Sequence, residues 1–395
     1  MNKSYQYRIY PTKEQKVALA KHFGCKRWIY NYGLELTNKH YKETGKHLSW
    51  VEVANTIPKL KKNQETSWLS EVNSQSLQSA IKNLDSAFTR FFKKQGKFPK
   101  FKSKRNKQSF QVPQFYKIDK ENSCIFLPKI KGKIKVVFHR EIKGEPGTLS
   151  ISKNSANNYF VSIQVDDGKE FSKKPKPNKH KAVGIDLGIK DFAILSNGEK
   201  IPNPNITKDK EKRLAKLQRD ASRKVLGSNN RKKANLRVAK LYQYINNKKQ
   251  DFLHKLSTRL IRENQTVCLE DLNVDGMLQN RCLSKAIQRC SWSEFVRQIM
   301  YKADWYGINV LQINRFAPSS KMCSKCGWIK EDLKLEDREW VCKCGVKHDR
   351  DVNAAKNILA FAFHPKNKSG QELPVEPTEK LISTTKREFR SKSVH

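Results

Sequence analysis

One stretch constrains this chain more than any other: Cys323 to Leu359, CSKCGWIKEDLKLEDREWVCKCGVKHDRDVNAAKNIL. Cys323 and Cys326 form a C-x-x-C pair, and fifteen residues later Cys342 and Cys344 form a C-x-C pair. Paired thiols at that separation suit one tetrahedral zinc, with a hairpin closing the loop between them. The metal-pinned knuckle runs into His348-Asp349-Arg350-Asp351 and then a helical run of small residues, Asn353 to Leu359. An acid, Asp351, is therefore fixed at a helix start beside the knuckle. A knuckle alone is a binding module, whereas an acid held in this way asks for catalytic partners upstream.

Two segments offer them. Ala182–Leu187 (AVGIDL) reads as a buried strand carrying Asp186, and Thr266–Leu269 (TVCL) as another that ends in Glu270-Asp271. Alternation along a strand puts Val183, Ile185 and Leu187 on one face and Asp186 on the other. Gly184 and Gly188 are expected to keep that second face open. If the two strands are parallel neighbours, Asp186 and Glu270 converge at one edge and Asp351 completes a triangle. Converging acids repel one another unless a cation joins them. Two magnesium ions are the natural occupants, because magnesium takes carboxylates together with substrate phosphate oxygens. Such a pair activates water and stabilises the leaving oxygen in phosphodiester cleavage. Singly, each acid also reads as a turn residue or helix cap, and Asp271 and Asp349 rival their neighbours.

Charge narrows the partners. Eighty Lys and Arg stand against 38 Asp and Glu, a net charge of +42. An excess of that size points to a polyanion, nucleic acid foremost, and says nothing of fold. A generic basic binding protein remains the plainer alternative. With 19 Phe, 12 Tyr and 7 Trp the chain has the material for a packed core. The N-terminus has no apolar signal region, and no run approaches the ~18 apolar residues of a membrane helix. A soluble protein that is not secreted is expected. Cys25, Cys124, Cys268, Cys282 and Cys290 show no paired spacing and are expected to be free and structural in a reducing cytosol.

Taken in order, residues 4–10 (SYQYRIY) alternate like a strand, and Thr12 suits a helix N-cap. Val17, Leu19, Ala20 and Phe23, then Trp28, Ile29, Tyr32 and Leu36, suggest two helices joined near Gly24. Leu77, Ile81, Leu84, Phe88 and Phe91 mark one apolar helix face. From Lys82 to Lys107 ten Lys or Arg face one acid, Asp85, with Phe98 and Phe101 set among Lys97, Lys100 and Lys102. Cations interleaved with aromatics suit phosphate contact plus base stacking, although a solvated loop has the same composition. Short alternating runs between 109 and 166 predict a small antiparallel β unit, a barrel completed by the strand at 4–10. The helical residues inserted between them would form a separate lobe. Residues 168–180 read as a linker, and Asn197-Gly198 as a hairpin. Residues 208–259 are helical and basic, with seventeen Lys or Arg against four acids, including Arg231, Lys232 and Lys233. Trp292 to Tyr306 reads as a helix and Ile308–Ile313 as a strand. The polar tail from His364, with Pro365, Pro374 and Pro377, reads as disordered.

The segments GIDLGIKDFAI, CLEDLNV and the knuckle closing in HDRDVNAAKNI resemble TnpB, the transposon-encoded, RNA-guided nuclease family related to type V CRISPR effectors. RIYPTKEQ, WIYNYGL, LDSAFTRFF with FPKFKSK, and SRKVLGSNNRKKA extend the resemblance over nearly the whole chain up to about Leu359. The resemblance implies a multidomain α+β protein with an RNase H-like, RuvC-type α/β nuclease domain at 179–319 and 348–363. A zinc knuckle at 320–347 interrupts that domain. A β-barrel wedge domain at 1–10 and 106–178 and a helical recognition lobe at 11–105 precede it, and a disordered tail fills 364–395. It assigns Asp186, Glu270 and Asp351 to the catalytic, magnesium-binding positions and Cys323, Cys326, Cys342 and Cys344 to zinc. It places Gln78 where the family reads a short motif flanking its DNA target. The partners implied are a guide RNA from the transposon end and target double-stranded DNA, held in a monomeric ribonucleoprotein. The second thiol pair departs from the usual C-x-x-C, which makes His348 a substitute ligand. Three other readings compete: a transposase acting by strand transfer, a non-catalytic regulator, and an actin-like ATPase suggested by I-D-L-G. The last lacks a second glycine-rich phosphate loop.

Overall fold

A computed structural model of the chain describes residues 1–280, 282–334, 336–363 and 375–376. They fall into two compact units whose boundary, between Lys169 and Glu170, lies inside the Pro- and Lys-rich segment.

The first unit begins with strand β1 (Asn2–Tyr10), and Thr12 then opens helix α1 (Lys13–Thr44) through a capping box with Gln15. Helices α2 (Trp50–Ala54), α3 (Ile57–Lys62) and α4 (Ser74–Phe92) follow. The helical pair expected to join near Gly24 is one continuous helix ending at Gly45, whose φ of 71° supplies the left-handed cap. A glycine inside a helix costs only about 1 kcal/mol relative to alanine. The packing of Leu19, Phe23, Ile29 and Leu34 on either side of Gly24 outweighs that cost. Strands β2 (Gln108–Val112), β3 (Lys117–Asp119), β4 (Cys124–Phe126), β5 (Ile134–Val137), β6 (Glu145–Lys153) and β7 (Tyr159–Asp166) join β1 in one sheet. Its order is β2-β6-β7-β1-β5-β4-β3, with antiparallel pairing throughout.

The strand at the N-terminus thus lies in the middle of this sheet, but the expected barrel does not close: the ladder ends at β2 and β3. The helices explain one open edge. Ser76 Oγ donates to Gln111 O (2.7 Å), Asn83 Nδ2 to Gln111 Oε1 (3.1 Å), and the His22 ring stacks on Phe110 with centroids 4.8 Å apart. Helices α1 and α4 therefore occupy the side of β2 that a closing strand would need. On α4, Leu77, Ile81, Leu84 and Phe88 are buried as expected, whereas Phe91 is 36% exposed.

In the second unit, strands β8 (Ala182–Asp186), β9 (Asp191–Leu195) and β10 (Lys200–Pro202) form an antiparallel meander, with Gly198 turning the last hairpin at φ 94°. Helices α5 (Ile206–Ser222) and α6 (Asn229–Glu263) pair through Leu214, Leu241 and Ile245. Strand β11 (Thr266–Glu270), the short helices α7 (Val274–Met277) and α8 (Ser284–Cys290), helix α9 (Trp292–Tyr306) and strand β12 (Asn309–Ile313) follow. The hairpin β13 (Glu339–Val341) and β14 (Lys347–Asp349) leads into helix α10 (Arg350–Phe363). The main sheet runs β10-β9-β8-β11-β12, with a two-residue strand β15 (Val375–Glu376) antiparallel on β12. Strands β8, β11 and β12 are mutually parallel. One face carries the large core: Val183, Ile185, Val267, Leu269 and Val310 against α6 and α9 residues such as Leu253, Leu260, Phe295 and Ile299. On the other face Cys268 and Ile313 pack with Ile358, Phe361 and Ala362 of α10. The expectation of disorder from His364 falls outside the described residues, apart from β15. No helix of the described residues is long and apolar enough to cross a membrane.

Candidate active site and metal centre

Strands β8 and β11 are paired in parallel from Thr266–Ala182 to Leu269–Ile185. The next residues on each strand are Asp186 and Glu270, so the two carboxylates leave the sheet side by side on the face that carries α10. That face is not open, as the glycines had suggested; α10 covers it. A Cβ on Gly184 would stand 2.2 Å from Ala355 O and 2.8 Å from Leu359 N. The glycine therefore allows helix backbone to lie directly on strand backbone. Gly188 is similarly filled, by Asp191 O of its own turn at 2.7 Å from a Cβ. Asp351 lies one helical turn before Ala355, at the end of α10 near Asp186.

The electrostatics reflect this convergence. Burial first, then the Glu270 and Asp351 carboxylates, push the Asp186 carboxyl up to about 7, with Arg350 opposing. Burial also raises Glu270, against a hydrogen bond donated by the Ser319 hydroxyl. Asp351 is flanked by Arg350 Nη2 (3.1 Å) and Arg338 Nη1 (3.3 Å). The two rival acids are engaged elsewhere. Asp271 pairs with Arg315. Asp349 Oδ1 accepts from Val352 N at 3.0 Å, capping α10, and its Oδ2 meets Lys200 Nζ at 2.5 Å. Two carboxyls raised by burial, one of them raised further by its carboxylate neighbours, have the donor chemistry of a site for hard cations.

Beside them lies the thiol cluster. The four sulfurs of Cys323, Cys326, Cys342 and Cys344 are all within 4.8 Å of one another. Cys323 Sγ is 3.8 Å from Cys344 Sγ, and Cys326 Sγ is 3.4 Å from Cys342 Sγ. Zinc–sulfur bonds of about 2.3 Å require tetrahedral edges near 3.8 Å, so these thiols fit zinc. The turns after each pair are closed by Gly327 N to Cys323 O (2.9 Å) and Gly345 N to Cys342 O (2.9 Å), both glycines having φ 81°. C-x-C therefore brings its sulfurs in as C-x-x-C does. His348 lies outside the four-sulfur group, with its Nε2 3.0 Å from Cys323 Sγ, within hydrogen-bonding reach. Leu333, Trp340 and Trp328 pack around the cluster.

The proposed nucleic-acid contacts are placed separately. In the first unit Gln78, Lys97 and Lys100 are exposed. Lys102 is turned inward: its Nζ sits 3.6 Å above the Tyr30 ring, its backbone is bound on both sides by Asn31, and burial lowers it to about 8. In the second unit Lys232 and Lys233 are exposed. Arg231 is spent on the α5–α6 turn, donating to Lys224 O (2.8 Å) and Ser222 O (3.4 Å). Of the five remaining cysteines, all free, four are buried and Cys282 is exposed, so the expected structural role does not extend to Cys282. Sequence reasoning missed Ser319 and Arg338, whose neighbours in space lie 49 and 13 residues away in the chain.

Comparison with known proteins matches three regions to family models. Residues 159–281 match OrfB_IS605 ("Probable transposase"), residues 292–358 the "Cas12f1-like, TNB domain", and residues 1–46 a "Helix-turn-helix domain". The last region is here one strand and one unbroken helix. A Streptomyces pristinaespiralis protein named "Putative RNA-guided DNA endonuclease" is 41% identical over 362 residues, 91% of this chain and 89% of its own length. InsQ of Escherichia coli K12, with the same description, is 31% identical over 96% of this chain and 98% of its own. Two solved structures share the fold. The Cas12f1 chain of a complex with sgRNA and target DNA has TM-score 0.50 and 14% identity, covering 91% of this chain and 98% of that one. The mini-RNA-guided endonuclease CRISPR-Cas_phi3 has TM-score 0.52 and 10% identity, covering 95% and 93%.

Proposed function

Because the chain belongs to the TnpB (IS605 OrfB) family, we propose that it is an RNA-guided DNA endonuclease of an insertion-sequence transposon. It cuts target DNA next to a short flanking motif. The observation that carries the chemistry is that Asp186 and Glu270 follow paired residues on adjacent parallel strands, and that the carboxylates of Glu270 and of Asp351, in the first turn of the helix lying over them, both act on Asp186. On this reading residues 179–319 and 348–363 form a RuvC-like, RNase H-type nuclease domain with the knuckle at 320–347 inserted. Residues 1–10 and 106–178 act as the wedge and 11–105 as the recognition lobe.

Asp186, Glu270 and Asp351 hold two magnesium ions, which when bound activate water and stabilise the leaving oxygen of phosphodiester cleavage. The chain itself supplies fixed geometry. Two acids stand on a sheet buried on both faces, and the third on a helix seated by Gly184, so their oxygens are aimed before substrate arrives. Cys323, Cys326, Cys342 and Cys344 hold zinc and keep the start of α10 in place. Guide RNA from the transposon end and target double-stranded DNA account for the net charge of +42, since in guided systems the protein grips the heteroduplex by its backbone and base pairing reads the sequence. Lys97, Lys100, Lys232 and Lys233 are suited to phosphate, and Gln78 to the flanking motif. The particle is a monomeric ribonucleoprotein of the prokaryotic cytoplasm, working at the nucleoid.

The test is purification followed by cutting of supercoiled target DNA. The protein is expected to carry one discrete RNA and to give linear product only with a matching guide. Asp351→Ala is expected to keep the RNA and lose the cut. Joined strand-transfer products would favour a transposase, and cutting by RNA-free protein would overturn the guided reading.

A further inference from the structure

The knuckle does more than extend from the sheet. Its stem, Ser319 to Ser324, is separated from the end of β12 by five residues and is bonded to the first turns of α10. Asn353 and Asn357, one helical turn apart, are 1% and 0% exposed. Asn353 Nδ2 donates to Met322 O (2.7 Å), and its Oδ1 accepts from Ser324 N (2.9 Å). Asn357 Nδ2 donates to Met322 O (2.6 Å) and to Ser319 O (2.7 Å). Burying an amide is unfavourable unless it is hydrogen-bonded; Asn357 Oδ1 finds no partner, and all four bonds that the two amides make run to one six-residue stem. Near one end of the stem Cys323 enters the thiol cluster. At the other, Ser319, 6% exposed, gives its hydroxyl to Glu270 Oε1.

We propose that Ser319 is a positioning residue for Glu270, and that Asn353 and Asn357 bolt the knuckle stem to α10 so that the seating of the metal knuckle sets where Ser319 stands. The inference rests on the reading of Glu270 as a magnesium ligand. A glutamate side chain is long and loses considerable rotamer freedom when held. With Oε1 fixed by Ser319, its second oxygen is presented without that search. The residues behind a metal ligand commonly act in this way, and losing one typically weakens metal binding about 10–100-fold. The zinc knuckle and the acid cluster are then one mechanical unit. They are joined by a chain of contacts from Cys323 along the stem to Ser319 and Glu270, with α10 as the rail.

Binding of Mn²⁺, followed by electron paramagnetic resonance on the protein–guide complex without DNA, tests this apart from catalysis. Zinc content by elemental analysis and the melting temperature are measured alongside. Ser319→Ala is expected to weaken Mn²⁺ binding by about 10–100-fold with zinc retained and melting little changed. Ser319→Thr, which keeps the hydroxyl, is expected to recover the native affinity. Asn357→Ala is expected to reproduce the loss while zinc stays bound. Native Mn²⁺ affinity in Ser319→Ala overturns the positioning role, and zinc loss in Asn357→Ala with Mn²⁺ affinity unchanged overturns the coupling. If Asn357→Ala does not fold, the Ser319 pair still decides the positioning role. Should Asp186→Ala bind Mn²⁺ as the native complex does, the reading of the acids as a magnesium site fails instead, a result distinct from either.

Discussion

Asp186 shows how a single residue records its surroundings. Its carboxyl, ordinarily near 3.8, titrates at about 7 in the metal-free fold because burial and two neighbouring carboxylates disfavour its charge. Between those values the folded protein holds a proton that the unfolded chain has released. Raising the pH through this window therefore favours unfolding, by on the order of 4 kcal/mol at most. Asp186→Asn removes the charge and keeps the shape. In chelated protein it is expected to raise Tm by several degrees at pH 8 and to change it little at pH 4, as differential scanning calorimetry at the two values would register. Equal shifts at both would mean that Asp186 is not held protonated. The same residue reading separates Asp351 from Asp349: one is flanked by two arginines, the other caps the helix. Sequence position alone left them as equals.

At the scale of elements, the decisive contact is α10 on β8. Side-chain alternation had correctly put Asp186 on the face opposite Val183 and Ile185, but it could not say what covered that face. Gly184 answers this, because a Cβ there would meet backbone atoms that cannot rotate away. Gly184→Ala is expected to cost about 1–3 kcal/mol, as overpacking does, and to lower cutting beyond what the lost stability explains, since Asp351 moves with the helix. Gly24, by contrast, has nothing within 4 Å of a Cβ. In the same host Gly24→Ala is expected to stabilise by about 0.5–1 kcal/mol with cutting unchanged. Thermal melts and cleavage rates of the two variants check the contrast; matching effects would show that helix seating does not matter.

For the molecule as a whole, the surplus of 80 basic over 38 acidic residues makes a quantitative demand. If it serves a bound nucleic acid, affinity must fall with salt as counterions are released. A complex neutralising six to ten phosphates loses roughly 10³–10⁵-fold in affinity from about 50 to about 200 mM salt. Fluorescence anisotropy of labelled guide RNA across that range is expected to show such a fall. A flat response would leave the charge unexplained by RNA. Not every basic residue contributes, since Lys102 lies over Tyr30 and Arg231 serves the α5–α6 turn.

By itself the sequence determined what depends on local order. The spacing of four thiols, the alternation in AVGIDL and TVCL, the cap at Thr12 and the apolar face of α4 all follow from neighbours a few residues apart, where covalent geometry fixes which side chains share a face. Tertiary structure alone decided what depends on contacts between distant segments. Whether the front sheet closes turned on helices bonding to the side of β2. Whether the face bearing Asp186 is open turned on a helix 164 residues further on, where Arg350 of α10 begins. Which oxygen of Glu270 is held turned on Ser319. Burial and hydrogen bonding are properties of the assembled neighbourhood, and no spacing in the chain encodes them.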